Sequence, residues 1–193
     1  MAFALEQLEN ELIIHSRGKN WKWRLPVLLW FLYVSIRYLT NPDYSCILSP
    51  LNLGIHELGH FIFSFFGRFL YTLGGTIFQV SVPVLAGFNF YRQKDFFAIS
   101  LSLGWLSTNL FDIARYVADA RAQILPLVSP FGESAIHDWN YMLDKLGLLP
   151  YDLVLASILR IAAVISMAIC FLSGAWILWQ MINWKDETEK LSL

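Results

Sequence analysis

The residues of this chain best suited to chemistry are His56, Glu57 and His60, within "NLGIHELGHFIFSFF" at residues 52–66. On a helix, positions i and i+4 lie one above the other, so both imidazoles aim at one point. Glu57 falls beside that point, placed to take a proton from an activated water without being a ligand itself. The rest of the stretch is apolar, and ionisable groups inside a bilayer are costly unless they find a partner. Two histidines bonded to neighbouring carbonyls are the inert alternative; a metal centre is the expectation. Two imidazoles plus a further oxygen or nitrogen suit Zn2+, with iron(II) as the second choice.

A catalytic zinc takes three protein ligands and keeps one position open. The third must come from elsewhere in the chain. One source is "ESAIHDWNYML": of the four histidines His15 lies in the leader, which makes His137 the remaining imidazole. A neighbouring carboxylate, Asp138 or Asp119, would orient its ring. The other source is the stripe Asn109, Asp112, Tyr116 and Asp119, spaced 3, 4 and 3 apart along an apolar helix. The expected set is His56, His60 and His137, with Asp112 as the alternative third ligand. Asp138, Asp119 and Asn109 are expected to support these groups. In the inert alternative His137 is a loop residue next to an N-capping Asp138.

Composition says where these elements lie. The 193 residues are 56% hydrophobic and only 15% charged, well under the roughly 25% of soluble domains. A chain this short has no interior able to hide that much apolar surface, so lipid must cover it. A single integral membrane domain over 1–193 is expected. The net charge of -1 gives no reason to expect nucleic acid. Cys46 and Cys170 suit neither a disulfide framework nor a thiolate metal site. Three glutamates among the first fourteen residues, with no basic n-region, speak against a cleavable signal peptide.

The predicted fold is mainly α, with about four transmembrane helices at 25–40, 46–66, 96–117 and 153–182. Residues 1–24 form an interfacial leader: Leu5, Leu8 and Leu12 share one face of an amphipathic helix, and Trp21 and Trp23 stand among basic residues. Gly74, Gly75, Pro83 and Gly87 punctuate β-rich runs in 67–95, which predicts a small β-hairpin or re-entrant segment after the second span. The distribution of Lys and Arg places both termini and this segment on the cytoplasmic side. Residues 118–152 become an outward loop with short helices.

With these features the chain resembles the site-2 protease family of intramembrane zinc metalloproteases. The shared elements are "HELGH" inside a span, a Gly-rich β-like segment after it, and a later span bearing Asn109 and Asp112. The resemblance covers roughly residues 46–120. It implies that His56 and His60 bind zinc, that Glu57 is the general base, and that an aspartate, loosely Asp112, is the third ligand. The family's Asn…Pro…Asp-Gly pattern is incomplete here: no proline separates Asn109 from Asp112, and no glycine follows it.

The leading expectation is therefore zinc-dependent peptide hydrolysis, with the β-rich segment holding the substrate as an added strand. One alternative is hydrolysis of a lipid amide or ester. Another is a membrane assembly factor with a structural metal, against which the intact Glu57 argues, because structural sites are closed and need no base. The partners expected are the bilayer and a membrane-protein or lipid substrate.

Overall fold

The structure, a computed structural model, describes residues 10–16, 18–41, 43–127 and 137–190, the last seven by backbone alone. The start of the expected leader helix (1–9) and Glu133 of the expected outward loop lie outside the described residues. Residues 10–16 are helical. Then follow α1 (Arg24–Thr40), α2 (Ser49–Phe63), α3 (Arg68–Arg92), α4 (Phe96–Ala118), α5 (Asp138–Lys145) and α6 (Asp152–Lys190). Short 3-10 turns at Ser64–Phe66 and Leu149–Tyr151 precede α3 and α6. No strand occurs among the described residues.

The β-hairpin expected in 67–95 is thus corrected: the segment is one helix of 25 residues that continues through Pro83. Its glycines serve packing. A Cβ on Gly74 would fall 2.6 Å from Cβ of Phe63, and one on Gly59 would run into the Gly74 backbone. Small residues let two helix backbones approach closely where lipid supplies no hydrophobic drive. The sharp reversal sits earlier, at Gly67, whose φ of +84° is one that L side chains rarely adopt.

Among the described residues three segments are long and apolar enough to cross a membrane: Arg68–Arg92, Phe96–Ala118 and Leu149–Asn183. Two were expected as spans; α3 was not. In contrast, α1 and α2 have 17 and 15 residues, about 26 and 22 Å at 1.5 Å per residue. Alone, neither matches a hydrocarbon core of about 30 Å. Helix α4 is central: over its most apolar stretch 56% of residues are buried, against 28% for α3 and α6. Across the α4–α6 seam Ser107 donates to the Ala163 carbonyl at 2.7 Å and Ser166 to that of Leu103 at 2.8 Å. Gly104 sits where a Cβ would meet Phe31 and the Cys170 thiol. On α6 the apolar residues Val154, Ile158, Ile161, Ile165, Ile169 and Leu172 stay exposed, a stripe at helical spacing that none of the described residues covers.

The bundle has two distinguishable ends. At one, Lys94 pairs with Glu11 at 2.7 Å and Lys19 lies 3.8 Å from Asp95. Leu28, Phe96, Ile177 and Met181 join in one core cluster near it, so the leader, the α3–α4 turn and the far part of α6 meet there. At the other end Arg115 lies 3.6 Å from Asp43, and Arg121 pairs with the buried Asp152 at 2.7 Å. Arg68 is at this second end, although the segment 67–95 that carries it was expected as a whole on the cytoplasmic side: its guanidinium stacks over the Tyr141 ring of α5, 4.7 Å away.

Candidate metal centre

His56 and His60 share one face of α2, and both are 95% buried. Their rings meet edge to face with centroids 4.7 Å apart. Each ring is fixed from behind. His56 Nδ1 lies 3.0 Å from Gln79 Oε1, and His60 Nδ1 lies 2.8 Å from the Tyr71 carbonyl oxygen. A carbonyl oxygen only accepts, so Nδ1 carries the proton in both rings and Nε2 keeps a lone pair. Both supports come from α3, pressed close by the glycine seam. Neither was anticipated; the signal for Gln79 is an amide in an otherwise apolar run.

The two Nε2 atoms converge on a single oxygen, Asp138 Oδ2, at 3.1 Å from His56 and 3.2 Å from His60. Asp138 is the first residue of α5 and is itself buried. The Tyr116 hydroxyl donates to this oxygen at 3.3 Å and accepts from the Asp138 N–H at 3.1 Å. Burial pushes the Asp138 carboxyl up, but the two histidines facing it hold it below the ordinary aspartate value. Two lone pairs and a carboxylate oxygen repel one another unless a cation lies among them. A proton on one Nε2 would tie that ring to the carboxylate and leave the other nitrogen facing the same oxygen, whereas one shared ion would satisfy all three. The donor set, two imidazoles and a carboxylate, is one that suits zinc. Glu57 is half-buried, and a carboxylate oxygen of it lies within 4.8 Å of a ring nitrogen of each histidine.

On the α3 side Gly75 packs against the face of the His56 ring: a Cβ there would stand 2.6 Å from Nε2 and 2.8 Å from both Cδ2 and Cε1, so only glycine leaves space for the ring. Gly75→Val is expected to displace the His56 ring and lower zinc affinity by more than tenfold with no ligand changed. Zinc titration of the purified variant, with circular dichroism to verify the helices, checks this; unchanged affinity would mean the space is irrelevant.

The other expected site residues lie elsewhere. His137 is the N-cap of α5: its Nδ1 accepts from the Asn140 N–H at 3.2 Å. Its Nε2 lies 3.3 Å from Asp119 Oδ2, without the alignment of a hydrogen bond. Burial lowers the His137 pKa more than Asp119 raises it, so the ring is neutral with both nitrogens turned to α5 and Asp119. The Asp119 carboxylate also accepts from Ile124 N and Leu125 N, holding the chain as it leaves α4. Asp112 accepts from Tyr38 at 3.0 Å, Ser49 at 3.2 Å and Asn52 at 2.8 Å. It thereby ties α4 to α1 and to the start of α2, one turn before His56. Asn109 is fully buried and donates to the Trp105 carbonyl. The structure therefore brings together His56, His60 and Glu57 with Asp138, and places His137, Asp112 and Asn109 around other partners.

No protein-family model matches the chain, and no curated protein or solved structure does so either.

Proposed function

We propose that the protein is an integral membrane zinc metallohydrolase acting on peptide bonds, with His56, His60 and Asp138 as the metal ligands and Glu57 as general base. The observation that carries this reading is the convergence of two Nε2 lone pairs and the Asp138 carboxylate on one point, beside a glutamate that is not needed to close the set. A divalent ion held there supplies Lewis acidity, polarising a carbonyl and acidifying a water. Gln79 and the Tyr71 carbonyl fix the histidine tautomers, and Tyr116 holds the Asp138 oxygen toward them. Glu57, partly open on its own side, receives the proton and passes it to the leaving amine. With three protein ligands the set resembles catalytic rather than closed structural zinc sites.

Two features of this reading follow from the fold. Substrate capture as an added strand has no edge to use among the described residues, since Arg68–Arg92 is a helix; the substrate approaches the open side of Glu57 instead. The end that gathers Lys19, Lys22, Arg24, Arg92 and Lys94 faces the cytoplasm by the positive-inside bias, which leaves both termini there and the metal centre nearer the opposite face.

Hydrolysis in 18O-labelled water tests the reaction. Detergent-solubilised apolar peptides incubated with the zinc-loaded protein are expected to yield products labelled at the new carboxyl terminus, and a chelator is expected to stop their formation. Protein carrying one zinc per chain that cleaves no peptide in such a library would overturn the peptidase reading.

A further inference from the structure

We propose that a cleft between α1, α4 and α6, separate from the metal centre, binds the phosphate of one anionic phospholipid. The cleft has a volume of about 340 Å³ and is walled by Tyr38, Phe111, Ile161 and Ile165, together with Arg115 and Arg160. It shares no lining residue with the His56, His60 and Asp138 cluster.

The charge in it is unbalanced. Arg160 is exposed on α6 and makes no ion pair or hydrogen bond with any described residue. The Arg115 Nε is buried without a hydrogen bond. The acid facing it, Asp43, is 3.6 Å away with a side chain 83% exposed to solvent. Asp112, one turn back on α4, is already engaged by Tyr38, Ser49 and Asn52. Two guanidiniums with free donors on an apolar wall match a phosphate, whose oxygens accept paired N–H groups.

Depth selects a lipid as the source of that phosphate. The α6 span, with its preceding turn, runs for 35 residues, about 52 Å at 1.5 Å per residue. This exceeds the roughly 40–45 Å of a bilayer including its headgroups. Arg115 lies three residues before the end of α4 at Ala118, about 4.5 Å from it, which is close to the edge of a hydrocarbon core of about 30 Å, and Arg160 lines the same cleft. The volume is at the low end of ligand pockets, about 300–1,000 Å³. It accommodates a headgroup, while the acyl chains run along the exposed Leu39 and Ile165 at the rim.

Native mass spectrometry of the full chain released from detergent micelles tests this with dioleoylphosphatidylglycerol and dioleoylphosphatidylcholine as probes. The wild type is expected to retain one phosphatidylglycerol in preference to phosphatidylcholine. Each guanidinium removed, in Arg160→Gln and in the double variant with Arg115→Gln, weakens retention about fivefold. Millimolar inorganic phosphate is expected to leave the lipid bound. Because Arg160 is exposed, its replacement leaves helicity and zinc content unchanged, so loss of lipid there is not loss of fold. Equal retention of the two lipids, variants that hold phosphatidylglycerol like the wild type, or displacement by inorganic phosphate would each overturn the assignment.

Discussion

Glu57→Gln is expected to keep its zinc and lower hydrolysis by about 10²–10⁴-fold, the usual cost of removing a general base. The amide preserves the size and shape of the side chain but cannot take a proton. The imidazoles are held independently of it, by Gln79 and the Tyr71 carbonyl at 3.0 and 2.8 Å, so the metal set remains intact. Metal content and turnover measured on one preparation separate binding from chemistry. A variant that lost zinc would make Glu57 a ligand, and one active within about tenfold of wild type would move the base elsewhere.

The second large effect distinguishes two adjacent residues. Asp138→Ala is expected to weaken zinc binding by well over 100-fold, whereas His137→Ala falls within the 10–100-fold of a residue that orients a ligand. Asp138 meets both imidazoles directly. His137 acts through the helix it starts, by accepting from Asn140 N. Losing such a cap costs about 1 kcal/mol and loosens α5 without removing the carboxylate. His137→Asn restores an N-cap without an imidazole and is expected to recover most of the affinity. If His137→Asn binds zinc as poorly as Asp138→Ala, the imidazole itself is a ligand and Asp138 supports it.

That pair of residues also marks the limit of what the sequence discloses. Both were visible as candidates, since an acid and an imidazole beside an amphipathic segment stand out in an apolar chain. The inert alternative gave the N-cap to Asp138, while the short supply of imidazoles and the adjacent acid gave the inward role to His137. The fold exchanges them, because His137 is pinned between Tyr116, Asp119 and the first turn of α5, which turns Asp138 toward α2. The central and last helices were legible from uninterrupted apolar composition: 96–117 and 153–182 fall within Phe96–Ala118 and Asp152–Lys190. Helix α3 was not legible. Gly74, Gly75 and Pro83 signal a turn when only neighbours in sequence are considered. The purpose of the two glycines, a close approach to Phe63 and His56, is a property of another helix. The α2 motif was readable because all of its geometry is local to five residues.

The groups that converge on the candidate metal centre are separated widely along the chain, and so in time. Asp138 follows His56 by 82 residues, which at about 5–20 residues per second of synthesis is an interval of roughly 4–16 s. During it, α2 and α3 can pair along their glycine seam and set the orientation of both histidines while Asp138 is still unmade. On the proposed reading, a nascent chain at that stage would hold a metal weakly or not at all. Docking of α5 would then be a maturation step, with hydrolytic competence arriving only when nearly three-quarters of the protein is in place.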